Sequence, residues 1–192
     1  DRGARRRGRG AGEVRLSTAA RYSLWLLLPR PAHERFQALI ARLSARLGTP
    51  AFEPHITLLG GLTGAEEDLR RRTRALAGAI KSFEVRLLEA AWLDEYYRCL
   101  FVEVALSRAL HAAHEAAGRH FDRRLDAGFD PHLSLVYGDL EEKEKEAILD
   151  DIGRYFDESI HIEELALYDT SGPPPVWRCV ERRRLGGDDD GS

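Results

Sequence analysis

The chain has 192 residues, 43% of them apolar and 32% charged, a balance that fits a globular protein of one large domain or two small packed lobes. Its formal net charge of −3 hides seven arginines among the first 21 residues and an acidic Asp188-Asp189-Asp190 near the end. No apolar run approaches the roughly 18 residues of a membrane-spanning helix. With Cys99 and Cys179 alone there is no disulfide framework, so a reducing, cytoplasmic setting is the expectation. Residues 1–21, rich in Arg, Gly and Ala, read as a disordered basic tail. A trimmed organelle-targeting segment or an RNA-attracting arm are the other readings of that stretch.

Tyr22 to Leu28 carries a strand signal closed by Pro29-Arg30-Pro31. From Ala32 to Leu47 the apolar Phe36, Leu39, Ile40, Leu43 and Leu47 recur at helical spacing, and Gly48 supplies a stop. A short strand at Pro54 to Leu58 ends at Gly60-Gly61. Thr63 and Glu66 have the spacing of a capping box for a helix running to about Ala79. Ser82–Trp92 and Arg98–Leu106 are extended runs predicted to pair across the Asp94–Tyr97 turn. Ser107 caps a helix through about Leu125, and Gly128 and Pro131 lead into a strand from His132 to Tyr137. Glu141 to Phe156 reads as one amphipathic helix and Ser159 to Tyr168 as one strand. After the polyproline-like loop Gly172-Pro173-Pro174-Pro175 comes a last strand, Val176 to Arg183.

Strand–helix–strand–helix–strand thus occurs twice, with one strand added at the end. The order predicts an α+β fold with two antiparallel sheets and outer helices, two lobes related by a pseudo-two-fold around a central cleft. The expected domain is residues 22–184, with a flexible acidic tail over 185–192.

One pair of stretches concentrates the chemistry. Pro54-His55-Ile56-Thr57-Leu58 is repeated, 77 positions on, by Pro131-His132-Leu133-Ser134-Leu135. Residues at i and i+2 of a strand share a face, so each stretch presents one imidazole and one hydroxyl together, about 7 Å apart along the strand. Two groups titrating near neutrality suit general acid–base catalysis, one accepting a proton while the other donates. Thr57 and Ser134 supply hydroxyls for an anionic group between them. A phosphodiester fits this set: non-bridging oxygens need donors, a nucleophile needs deprotonation and a leaving oxygen needs a proton. Neither motif holds a carboxylate, so the reading is metal-independent opening of a phosphoester, with a strained five-membered cyclic phosphate the accessible substrate.

The paired motifs resemble those of the 2H phosphoesterases, nearest to the plant and yeast cyclic nucleotide phosphodiesterases of tRNA-splicing by-product metabolism. The likeness spans roughly residues 22–181. It also takes in Tyr96-Tyr97-Arg98-Cys99-Leu100-Phe101, Leu135-Val136-Tyr137 and Val176-Trp177-Arg178-Cys179-Val180. The resemblance implies a bilobal fold with a water-filled cleft. It also implies hydrolysis of ADP-ribose 1″,2″-cyclic phosphate and of nucleoside 2′,3′-cyclic phosphates, the latter to 2′-phosphates. By motif, His55 and His132 would be catalytic, with Thr57 and Ser134 on the phosphate. Tyr137 would place water or phosphate, and Trp177 would line the cleft. His132 is assigned as base and His55 as acid, with the reverse left open. The plant enzymes carry further cysteines that this chain lacks, which puts any redox-sensitive loop in doubt.

The rival readings are an RNA-end enzyme of the 2′–5′ ligase-like or oligonucleotide phosphodiesterase kind, and a nucleotide- or RNA-binding module without turnover. No cofactor is expected; the partner is a small cyclic-phosphate nucleotide or an RNA 3′ end, met by a monomer. His111, His114 and His120 do not share a helix face, which disfavours a zinc site. His33 and His161 read as surface or capping residues, Cys99 as a core thiol, and Trp25 and Trp92 as core. The run Arg70-Arg71-Arg72-Thr73-Arg74 reads as a solvated helix face.

Overall fold

A computed structural model describes residues 21–125 and 128–186; apart from Arg21, Leu185 and Gly186, the two expected tails lie outside the described residues. The strand with the strongest apolar signal, β1 (Tyr22–Leu27), is buried along its whole length. It has a strand on each edge, β2 (His55–Leu62) and β7 (Glu164–Asp169), both antiparallel. Between β1 and β2 runs α1 (Arg30–Leu47), opened by the Pro29–Pro31 pair and closed by Gly48 at φ +66°. The remaining elements are α2 (Glu66–Ala79), β3 (Phe83–Ala91), β4 (Leu100–Val104), α3 (Arg108–His120), β5 (His132–Val136), α4 (Glu142–Ile152), β6 (Tyr155–Ile162) and β8 (Arg178–Arg184). Ser107 caps α3 as its sequence position predicts, accepting from the Leu110 amide at 3.2 Å.

The strands lie in the order β6-β3-β4-β5-β2-β1-β7-β8, antiparallel throughout. Two sheets were expected; the structure joins two four-stranded halves into one ladder through a single registered pair, Ile56 with Leu133. That one sheet cannot be flat. Glu163 alone separates β6 from β7, yet they stand six strand positions apart. Six spacings of a flat sheet come to about 29 Å, whereas two peptide units span roughly 7 Å. The sheet therefore folds back, and its two halves flank a cleft.

Alternation assigns the two faces. Leu24, Leu26, Ile56, Leu58, Leu133, Leu135, Leu165 and Leu167 join the main core with Phe36, Leu43, Leu76 and Leu110 of the helices. Trp25, Leu27, Ala166 and Tyr168 form a separate cluster on the other face. The helices cross over: α1 packs on β5, and α3 packs on β2.

Four local expectations are corrected. The capping box at Thr63 does not form; Ala65 is the N-cap, and Glu66 instead accepts from Tyr22 Oη and Arg178. The last helix stops at Ile152 because Gly153 takes φ +83°, and Phe156 packs on Phe36 from a strand. The single strand expected over 159–168 is two strands, one in each half of the sheet. Leu185 is buried and the Gly186 amide donates to Ala77, so packed chain extends two residues past 184. Both cysteines are free, and among the described residues no helix is long and apolar enough to cross a membrane.

Candidate active site

His55 opens β2 and His132 opens β5, and these two strands meet antiparallel at the centre of the sheet. The pair Ile56–Leu133 fixes the register. Carried one residue either way, it sets His55 opposite Ser134 and Thr57 opposite His132, about 5 Å apart at Cβ. Ile56 and Leu133 point into the core, so the four motif side chains share the opposite face. There they line a cavity of about 340 Å³ together with Arg21, Ser23, Trp25, Gly60, Gly61, Tyr97, Tyr137, Thr170 and Trp177. All six residues singled out in the sequence, His55, Thr57, His132, Ser134, Tyr137 and Trp177, therefore meet at one cavity.

The two histidines are held by the same device. Each follows an acid–proline pair, Glu53-Pro54 and Asp130-Pro131. Proline keeps the preceding residue extended, and the carbonyl of that acid faces the ring two residues on. His55 Nδ1 lies 2.6 Å from Glu53 O and His132 Nδ1 3.0 Å from Asp130 O. A carbonyl only accepts, so Nδ1 carries the proton in both rings. Each neutral imidazole is then left with an unprotonated Nε2.

Their surroundings differ. His55 is 5% exposed, with the Trp25 ring stacked on it at 3.5 Å and 6°. Burial lowers its pKa to about 4, opposed by the Glu53 carbonyl and assisted by His132. His132 is half-buried, and burial lowers its pKa too, with Arg98 adding to the effect. Arg98 lies over the Phe101 ring at 4.9 Å and pairs with Asp130. The Ser134 hydroxyl donates to the Tyr97 carbonyl at 3.1 Å. Tyr137 is buried and stacked on Phe52 at 3.7 Å. Burial pushes its phenol well above the ordinary tyrosine value, against a hydrogen bond with Ser134, so it stays a protonated donor.

Several cavity residues were not singled out. Trp25, read as core, is buried and also lines the cavity, in register with Thr57. Its signal was the alternation Ser23-Leu24-Trp25-Leu26, which marks two faces without saying what lies on either. Tyr97, at the end of the turn expected over Asp94–Tyr97, comes from a 3₁₀ turn, Tyr96–Arg98, that carries the turn one residue further than expected. Gly60 and Gly61 lie inside β2, where the pairing with β1 shifts register and Gly61 takes φ +65°; both form cavity wall.

The three helical histidines go separate ways. His114 is buried against the Leu58 carbonyl and stacked on Phe129, His120 turns back to Ala116 of its own helix, and exposed His111 faces Glu115. Among the described residues no group of three His, Cys, Asp or Glu is placed to hold a metal ion.

A cleft between two sheet halves, with an H-x-T strand beside an H-x-S strand, defines a phosphoesterase of the 2H class. Residues 21–182 match the cyclic phosphodiesterase-like protein family, and the chain belongs to that family. Over 124 residues, 65% of this chain and 68% of the relative, it is 24% identical to the cyclic phosphodiesterase of Arabidopsis thaliana. In fold it is similar to TT0787 of Thermus thermophilus, with TM-score 0.63 and 18% identity over 88% of this chain and 99% of that one. It is similar as well to apo LigT of E. coli, with TM-score 0.58 and 20% identity over 88% and 99% of the two chains. LigT has also been solved in complexes with phosphate, 3′-AMP, NADP+ and ATP.

Proposed function

We propose that this phosphodiesterase hydrolyses nucleoside 2′,3′-cyclic phosphates to 2′-phosphates without a metal ion. ADP-ribose 1″,2″-cyclic phosphate, which holds the same five-membered ring, is its second substrate. The observation that carries the reading is the pair of imidazoles, each locked through Nδ1 to its own chain and each offering Nε2 to one cavity. Water attacks phosphorus, one imidazole takes its proton, the P–O3′ bond breaks, and the other imidazole protonates O3′. Thr57 and Ser134 hydroxyls and the Tyr137 phenol donate to the non-bridging oxygens. Ser134 gives up its bond to the Tyr97 carbonyl to do so.

The electrostatics favours the reverse of the sequence-based assignment. His55, with a pKa of about 4, is held neutral and suits the base; half-buried His132 takes a proton more readily and suits the acid. A cavity of about 340 Å³ is at the small end of ligand sites, which supports a mononucleotide over a long RNA track. The complexes of LigT with small nucleotides support the same size class. Two unpaired thiols accord with a reducing, cytoplasmic setting.

Phosphorus NMR of the protein with 2′,3′-cyclic AMP in EDTA, beside His132→Ala, tests the reaction. The expected product is 2′-AMP alone, with the variant slower by roughly 10²–10⁴; loss of wild-type turnover on adding EDTA would overturn metal independence. A 4-nitrophenyl phosphodiester, whose leaving group departs without a proton, separates the two roles. His132→Ala is expected to keep most of its rate on that substrate and His55→Ala to lose it.

A further inference from the structure

Four aromatic rings besides the imidazoles line the cavity: Trp25, Tyr97, Tyr137 and Trp177. Trp25 has no free face, because β1 lies between β2 and β7 and each neighbour supplies a stacked ring, His55 at 3.5 Å and Tyr168 at 3.8 Å. Tyr137 rests on Phe52. Tyr97 and Trp177 remain, facing one another with centroids 6.2 Å apart and planes at 29°. Both stand edge-on to Tyr137, at 5.2 Å and 78° for Tyr97 and 5.9 Å and 62° for Trp177. Two walls and a floor make a slot.

The spacing decides what the slot takes. It is too wide for the walls to stack on each other as Trp25 stacks on His55. A flat ring between two others needs about 6.8 Å, twice the 3.4 Å rise of stacked bases, so a nucleobase enters once the walls part by about 0.6 Å. Both walls are anchored from behind. Trp177 Nε1 donates to Gly172 O at 2.9 Å and its amide to Pro174 O at 3.1 Å. The turn carrying Tyr97 is held by Gly138 N to Tyr96 O at 3.0 Å and by Lys145 Nζ to Leu93 O at 3.2 Å and Asp94 Oδ1 at 2.6 Å. Tyr97 is nonetheless 52% exposed, a large aromatic surface left facing solvent at the cavity mouth. The slot adjoins the phosphate end directly, since the Tyr97 carbonyl holds the Ser134 hydroxyl.

We propose that Tyr97 and Trp177 form a base clamp that sandwiches the nucleobase of the substrate, and that the clamp selects nucleoside cyclic phosphates over base-free ones, purines above pyrimidines. This rests on the reading of the cavity as a cyclic-phosphate site. Stacking is sequence-tolerant and scales with ring overlap, hence the purine preference.

Calorimetric titration with 2′-AMP and with inorganic phosphate tests the clamp without turnover, after circular dichroism confirms that each variant is folded. Wild type is expected to bind 2′-AMP at least about tenfold tighter than phosphate, and Tyr97→Ala to weaken 2′-AMP about 5- to 100-fold more than phosphate. Tyr97→Phe, which keeps the ring, is expected to restore the affinity. Equal affinity for the two ligands in wild type, equal weakening of both by Tyr97→Ala, or a Phe variant as weak as Ala would each overturn the clamp. Kinetics separate it from the activity it rests on. Equal kcat/KM for 2′,3′-cyclic AMP and glycerol 1,2-cyclic phosphate would sink the clamp and leave the reaction standing. Clamp-dependent 2′-AMP binding with no turnover of either would do the reverse.

Discussion

His55 lies deeper than His132, enclosed by the face of Trp25 and the edge of Phe52, and that depth has a thermodynamic cost in acid. A histidine in the unfolded chain takes its proton near pH 6.5; this one takes it near 4. Between those values the unfolded chain binds more protons than the folded one, so stability falls as pH falls. The contribution is complete above about pH 6.5 and is lost on going down to pH 4, about 3 kcal/mol in all. Urea unfolding at pH 7 and pH 4.5 checks this: His55→Asn is expected to lose clearly less stability than wild type, and an equal loss would count against the burial argument. The same two lowered pKa values place the optimum of kcat/KM on the acid side. The rising limb is His55 losing its proton, the falling limb His132 losing its own, so the peak falls below about pH 6.5. A peak above pH 7.5 would contradict it. At this scale the sequence was informative where chemistry repeats along the chain. Histidine and hydroxyl two residues apart on a strand share a face whatever surrounds them, so His55, Thr57, His132 and Ser134 were legible. Trp25 and Tyr97 were not, because their places depend on which strands pair and on a turn whose conformation is set by Lys145 from a distant helix.

Helix α2 shows the same limit at the level of elements. Its arginines read as a solvated face, yet Arg70 and Arg74 turn onto β8 and both donate to Glu181, which Arg183 also reaches. Arg71 and Arg72 pair with Asp68, and Arg72 continues to the His120 carbonyl and Asp122. Burial pushes the Glu181 carboxyl up, but the bonds from Arg74 and Arg70 outweigh it and hold it below the ordinary range. Helical periodicity places arginines on a face; the partner 111 positions away is invisible to it. Glu181→Gln leaves two partly buried guanidinium groups short of a carboxylate and is expected to cost about 1–2 kcal/mol, less than a fully buried pair because the arginines reach solvent. Chemical denaturation reads the loss; unchanged stability would mean that α2 and β8 are held by apolar contacts alone. Glu163 illustrates a different blindness. A strand that passes from one half of the sheet to the other keeps its alternation, so 155–162 and 164–169 were merged into one run with part of a helix before it.

For the molecule as a whole, the element types were legible and the sheet order was not. Strand and helix signals are local, whereas β1 finds β7 across about 140 residues of chain, Trp25 against Ala166. Such pairing makes the whole sheet interdependent. A chain ended at Leu140 keeps both histidine strands but leaves β1 without β7 and Trp25 without Tyr168. It is expected to show no cooperative thermal transition by circular dichroism, and a melt like that of the full chain would refute the interdependence.

The half of the sheet carrying His55 consists of the first two strands and the last two. On the ribosome, then, one histidine strand leaves the exit tunnel early and waits. The other half has all but its edge strand once β5 has emerged, and β2 then has both its neighbours, while β1 stays one-sided until β7 is made. Until then Trp25 and Leu27 lie open on an unpaired edge, the condition under which a nascent strand most readily pairs with the wrong neighbour. A chain built this way depends, in the interval before its last strands arrive, on whatever shields hydrophobic edges during synthesis.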